Sequence, residues 1–197
     1  MAARTTLDQL IRVLRGMTAA NPGDYVIDTQ NFWDANVMTD VLDRYRQDVK
    51  HEELQKVESY TGGGTVAWLE YQSQYRNFEQ TDGGSAIFIV EEADGDNQST
   101  ANWSADYIRG LVTFTADTSG TAYFLTGSSY DLNAAAADVW RQKAAYYAQA
   151  YDVKTDNQAL TRSQLMQNCV KMADYYESLG GPQTVYMYRS DSEDVLW

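Results

Sequence analysis

Asp94-Gly95-Asp96-Asn97 opens like the loop of a calcium site, where carboxylates at alternate positions surround a hard cation. Such a loop needs glycine at its sixth position and glutamate at its twelfth. Counted from Asp94, those places hold Ser99 and Ala105, so the segment reads as a solvated acidic loop. Gly62-Gly63-Gly64 lacks the following Lys-Ser/Thr of a phosphate cradle and does not open a helix. Gly127-Ser128-Ser129-Tyr130 misses the Gly-x-Ser-x-Gly nucleophile turn. The single histidine, His51, stands beside Glu52 and Glu53 on a polar stretch and reads as a surface residue; alone it cannot build a multi-histidine metal site. The single cysteine, Cys169, excludes an internal disulfide framework and a cysteine-rich zinc site. It falls on an apolar helical stripe, where a thiol is usually an inert packing group. Carboxylates are plentiful, but Glu70, Glu91 and Glu92 have no neighbouring signal that marks an acid–base pair, and the separation such chemistry needs is not written in sequence. No enzymatic activity, metal or cofactor is therefore expected.

The elements that must carry these residues belong to a globular chain. Its 197 residues, 44% hydrophobic and 22% charged, suit one domain or one domain with an inserted subdomain, large enough to bury a core unaided. Lys plus Arg is 15 against 28 for Asp plus Glu, and the net charge of −13 argues against a surface that grips nucleic acid phosphates. No stretch approaches the run of about 20 apolar residues that spans a membrane. Met1 to Leu14 is amphipathic, carries Arg4 and Arg12, and lacks the apolar core of a signal peptide. Folding in a cytoplasm is expected, which makes the sequons at Asn97 and Asn102 chance matches. The 15 tyrosines suit interfaces and half-buried strands alike.

Leu7, Leu10, Ile11, Leu14 and Met17 predict a first helix, capped by Thr5 or Thr6 and ended by Asn21-Pro22-Gly23. Val37, Met38, Val41, Leu42 and Tyr45 predict a second over 34–49, capped by Thr29 or Asn31. Between glycine breaks, Val66–Tyr71 and Ala86–Val90 read as strands, and 92–102 as a loop. Leu111–Thr115 and Thr121–Leu125 read as a hairpin turning at Asp117-Thr118-Ser119-Gly120. Asp131–Tyr151 predicts a long helix, and Thr161-Arg162-Ser163-Gln164 a capping box opening another, with the stripe Leu165, Cys169, Met172, Tyr176 and Leu179 and a stop at Gly180-Gly181-Pro182. Val185 to Tyr188 favours an extended strand, and Val195-Leu196-Trp197 is an apolar triplet that either folds back on the core or docks on a partner.

From Tyr107 to Tyr176 the chain also carries a more specific pattern. Ser129-Tyr130-Asp131-Leu132-Asn133-Ala134-Ala135-Ala136-Ala137-Asp138-Val139-Trp140 is followed, one helix later, by Leu160-Thr161-Arg162-Ser163-Gln164-Leu165; Trp33 with its helix, the glycine triplet and Val66–Tyr71 precede it in order. This resembles the head-to-tail connector, or neck adaptor, proteins of tailed bacteriophages. The residue pattern reads as an α+β chain, a helical bundle of N-terminal helices (1–52) and two long C-terminal helices (127–181) with an inserted small antiparallel β region (53–126) and an extended C-terminal arm (182–197), the helices being the connector core that the resemblance implies. The resemblance implies a virion protein of the neck, assembled in the host cytoplasm into a closed ring of about twelve subunits. Its partners would be the portal and the next neck or tail protein, with genomic DNA passing an acidic lumen without specific binding and no membrane. Tyr186, Tyr188, Leu196 and Trp197 are the expected portal anchors, with Val185 and Met187 on the opposite strand face. A virion decoration or carbohydrate-binding module is the alternative, with Trp68, Trp103 and Tyr123 as stacking aromatics.

Overall fold

The computed structural model describes residues 4, 6–24, 26–27, 30–60, 66–148, 153–155, 158–160 and 162–180. The first helix, α1 (Leu7–Thr18), buries Leu7, Leu10, Ile11 and Leu14 at helical spacing. Its N-cap is Thr6, in the left-handed region at φ 74°, and the hydroxyl makes no capping bond. It donates instead to the Phe78 carbonyl at 3.1 Å and accepts from the Gln80 amide at 3.0 Å, so the expected cap is used to stitch the helix entry to the β region. A short ribbon, β1 (Val26–Ile27) and β2 (Gln30–Asn31), leads to α2 (Ala35–Arg44). Asp34, not Thr29 or Asn31, caps α2, its carboxylate accepting from the Val37 amide at 2.8 Å.

The predicted second helix stops five residues early. Arg46–Glu53 forms a strand, β3, which continues into β4 (Gln55–Tyr60) and β5 (Val66–Gln72). A ribbon, β6 (Thr81–Asp82) and β7 (Ser85–Ala86), then β8 (Ile89–Glu92), β9 (Trp103–Asp106), β10 (Leu111–Phe114) and β11 (Tyr123–Tyr130) complete the middle. All pairings are antiparallel, in a four-stranded sheet of order β4-β5-β10-β9 and a three-stranded sheet of order β3-β11-β8. The predicted hairpin is therefore not formed: β10 and β11 lie in different sheets. The connection between them folds back on β5, with the Asp117 carboxylate accepting from the Trp68 amide at 2.9 Å and the Tyr71 hydroxyl donating to the Thr121 carbonyl at 2.9 Å. Val49, Leu54, Tyr71, Phe78, Phe88, Val90, Trp103, Val112, Phe114, Tyr123 and Leu125 give the two sheets one shared, aromatic-rich core.

The chain ends its described part with α3 (Leu132–Ala148), a ribbon of β12 (Val153–Thr155) and β13 (Gln158–Leu160), and α4 (Arg162–Leu179). Leu10, Leu14, Trp33, Met38, Leu42, Ala135, Ala136 and Val139 form a second core among α1, α2 and α3. The expected helical bundle with two long C-terminal helices and an inserted β region is thus corrected. Among the described residues the molecule is α+β, with four helices and a middle made mostly of strands that hold a core of their own. The physical reason lies in β3 and β11. Charged β3, in which only Val49 is buried and Glu52 half-buried, gains a ladder partner in β11, and β11 runs straight into α3. The strand region thus stands between α2 and α3 in the chain with a core of its own, and the described helices pack chiefly on one another.

Candidate functional site

Where β11 gives way to α3, the two layers leave a cleft of about 490 Å³. Its floor is Ser129, Tyr130 and the first turn of α3; its walls are the loop after β5, carrying Gln74, Arg76 and Asn77, and the β9–β10 turn, carrying Ile108 and Arg109. Local bonding fixes each wall. The Asn77 amide side chain donates to the Tyr130 carbonyl at 3.2 Å, and its backbone, left-handed at φ 58°, donates to the Ile108 carbonyl at 3.0 Å. Gly110, at φ 68°, sits where a Cβ would lie 2.3 Å from the Tyr75 carbonyl oxygen, so only glycine lets the two walls approach this closely. Asp131, a carboxylate of the cleft lining, caps α3, accepting from the amides of Asn133 and Ala134 at 3.0 Å each. Arg109 reaches Asp106 at 3.6 Å, and Arg76 forms no ion pair among the described residues. The cleft is therefore lined by two exposed guanidinium groups, one of them paired with Asp106, together with several amides and the Asp131 carboxylate that caps α3.

Behind this cleft lies a buried ionic knot. Glu79 is fully buried; its carboxylate accepts from Arg4 at 2.7 and 2.8 Å and from the Tyr130 hydroxyl at 2.6 Å. Arg4 also grips Asp43 of α2 through two bonds of 2.9 Å. Bonds to Glu79 first, then to Asp43, hold the Arg4 guanidinium above its ordinary range. Burial, then the bond to Glu79, pushes the Tyr130 phenol up. One arginine thus ties the chain ahead of α1 to α2, to the strand region and to the floor of the cleft. No sequence signal marks Glu79, which sits in a polar run.

Lys143 forms the second buried cationic site. Its ammonium donates to the Thr18 and Ala19 carbonyls at 2.8 and 2.7 Å, closing the C-terminus of α1, with Asp24 at 3.5 Å. Burial lowers its pKa. Cys169, buried on the inner stripe of α4, is pushed up by burial and is a packing thiol.

The candidates named from sequence are dispersed. Asp94 and its neighbours form a tight turn, with the Asp94 carboxylate accepting from the Asp96 amide at 3.2 Å. His51 is exposed and stacked on Phe124 at 4.1 Å; its partner, at 3.2 Å from Nδ1, is Glu91 from β8, not the adjacent Glu52. Glu91 and Glu92 belong to the three-stranded sheet and Glu70 to the four-stranded one. Glu52 is raised by burial and accepts from Ser73 and from the Gln74 amide, holding the loop that carries Arg76. Trp103 and Tyr123 are buried in the shared sheet core, and Trp68 packs over Gly120. Among the described residues no three histidine, cysteine, aspartate or glutamate side chains gather as metal ligands. Tyr186, Tyr188, Leu196 and Trp197 lie outside the described residues.

Comparison with protein-family models, curated proteins and solved structures gave no match. The surface itself has to supply the functional reading, and α4 supplies most of it. Its inner stripe, Met166, Cys169, Ala173 and Tyr176, faces the other helices, with the Tyr176 hydroxyl donating to the Met17 carbonyl at 3.0 Å. Beside it runs a second stripe. Leu165, Met172 and Leu179 are spaced by seven and Tyr175 lies three beyond Met172, the a/d spacing of helix–helix seams. Leu165, Tyr175 and Leu179 are 44%, 54% and 51% exposed.

Proposed function

We propose that the chain is a structural subunit of a tailed-bacteriophage head-to-tail connector: a ring beneath the portal that lengthens the DNA channel and seats the next neck or tail protein. The observation that carries this reading is the second stripe of α4. A helix with two adjacent heptad-spaced seams, only one of them covered by the described residues, is suited to pack against a neighbour of the same kind. In a ring, that neighbour is the next subunit, joined through unlike surfaces that close by rotation. The net charge of −13 fits a channel past which DNA slides without sticking. The segment after Gly180, with Tyr186, Tyr188, Leu196 and Trp197, supplies aromatic anchors for a portal pocket. The alternative, a decoration or sugar-binding module, gains no support from its proposed platform, because Trp103 and Tyr123 are both core residues.

The test is copy number in purified virions, measured by mass spectrometry against isotope-labelled peptides. About twelve copies per particle support a closed neck ring. Hundreds of copies place the protein on the capsid or tail tube, and none removes it from the virion.

A further inference from the structure

Two rows of exposed side chains on different helices match each other at the same spacing. On α4, along its outer stripe, Lys171, Tyr175 and Leu179 follow one another at intervals of four, and all are exposed. On α1, Asp8, Arg12 and Gly16 follow at the same interval and are also exposed. Residues four apart form one ridge of a helix surface. Taken in chain order, an ammonium stands against a carboxylate, a phenol ring against a guanidinium, and a leucine against a gap. The gap is open: a Cβ at Gly16 would meet nothing within 4 Å. Glycine weakens a helix relative to alanine, and no neighbour among the described residues requires one here. Val13, beside this row, is apolar yet 39% exposed. Among the described residues neither Asp8 nor Lys171 has an ion-pair partner, and the Arg12 side chain reaches only the Asp8 carbonyl, at 3.4 Å. The acids of α4 are otherwise engaged: Glu177 pairs with Arg141 of α3, and Asp174 acts on the same arginine.

We propose that the outer stripe of α4 docks on the exposed face of α1 in a second copy of this chain, with Lys171 pairing with Asp8, Tyr175 lying against Arg12 and Val13, and Leu179 seated over Gly16. The two rows run in the same direction and lie side by side when the helices cross at about −50°, the commonest ridge-into-groove packing. A guanidinium over the phenol ring adds cation–π attraction. The occupant is a second copy because the match of charge and shape is between two surfaces of one chain. Both rows are exposed on the same subunit, so neither covers the other. The contact therefore joins unlike surfaces, and such contacts close into rings or run on as filaments. The inference rests on the connector reading and deepens it, by naming the face of the neighbour that the α4 stripe meets. A single helix-on-helix contact is small beside a stable dimer interface, so it is weak alone and gains from closure of the ring.

The experiment uses the purified full chain at about 1 mM, where even a millimolar contact is populated. A photoreactive p-benzoylphenylalanine replaces Tyr175, light- and heavy-isotope protein are mixed and irradiated, and crosslinked peptides are mapped. The expected crosslinks join position 175 to residues 8–16 across isotope classes. Asp8→Lys and Lys171→Asp each lower their yield roughly fivefold, by turning a surface-type ion pair into a repulsion. The double variant Asp8→Lys/Lys171→Asp restores it. Gly16→Leu separates assembly from folding. It fills open space with a better helix former, so Tm should rise by about 2–4 °C while the crosslinks are lost. Crosslinks confined to one isotope class would overturn the proposal. So would crosslinks from position 175 to α4 of the other copy, or a yield indifferent to the charge reversals or to Gly16→Leu. Because no virion enters this experiment, its failure leaves the copy-number test of the connector reading intact, and the reverse also holds.

Discussion

The Tyr130 hydroxyl donates to Glu79 Oε2 at 2.6 Å, joining the last residue of β11 to a carboxylate that water does not reach. Arg4 completes the pair from 75 residues away. Removing one partner of a buried ionic group leaves the rest uncompensated, which costs more than the intact group contributes. Glu79→Ala is therefore expected to destabilise the fold by about 3–5 kcal/mol. Tyr130→Phe, which leaves Arg4 on the carboxylate, should cost about 1–3 kcal/mol. Urea unfolding of the two variants and their double mutant checks this. Additive losses would show that the three groups do not act together.

Alkaline pH should act through the tyrosines. Burial raises the pKa of Tyr45, Tyr71, Tyr107, Tyr123 and Tyr130 above the ordinary value of 10.0. A phenol whose folded pKa is raised binds its proton more tightly when folded than when unfolded. Its contribution is complete below pH 10 and is lost as pH rises from there through the folded pKa. Stability is thus expected to fall above about pH 10. Absorbance at the phenolate band should show these tyrosines ionising only together with unfolding. Ionisation of these five tyrosines at an intact fold would contradict their burial.

Gly110→Ala should be the most damaging exchange of one small residue for another. The position is left-handed at φ 68°, which costs a non-glycine residue about 1–2 kcal/mol. A Cβ there also meets a backbone oxygen at 2.3 Å, which no side-chain rotation relieves. The loop carrying Arg76 must move. A loss of roughly 2–4 kcal/mol is expected, and a Tm lower by about 4–16 °C for a chain of this size. Gly84→Ala is the control: it shares a positive φ but meets open space, so it should cost only the backbone strain. Thermal unfolding of both variants decides the matter, and equal losses would rule out the close approach of the two walls.

Much of this was legible in the residues, and the failures have one cause. α1, α3 and α4 were written in their apolar spacing, because a helix states its own period in a single segment. β3 was not: Arg46 to Glu53 is almost wholly charged and polar, and only its pairing with β11 makes it a strand. The hairpin expected across Asp117–Gly120 had correct turn chemistry but the wrong partners, since a turn does not say which sheet takes each arm. Likewise Arg76 and Arg109 lie 33 positions apart in sequence and line one cleft only once the loops that carry them are folded. Glu79 became the most buried carboxylate through Arg4, a contact no local pattern encodes.

The outer stripe of α4 gives the prediction that bears most directly on assembly. Leu165, Tyr175 and Leu179 are half-exposed, so replacing them alters little inside the subunit. Leu165→Glu and Tyr175→Glu are each expected to change unfolding stability by no more than about 0.5 kcal/mol. At a packed helix seam the same changes bury an unpaired carboxylate, which costs several kcal/mol per contact and repeats at every interface of a ring. The double variant should therefore fold as the parent does, yet fail to enter higher oligomers in native mass spectrometry or to appear in particles when supplied in place of it. Cys169→Ser, on the inner stripe of the same helix, should do the opposite: it places a hydroxyl in a packed apolar site and lowers stability, while leaving the outer seam able to pair. Normal oligomers from the Leu165→Glu/Tyr175→Glu protein would show that this stripe is merely solvent-facing, and the proposed ring would then have to close through another surface.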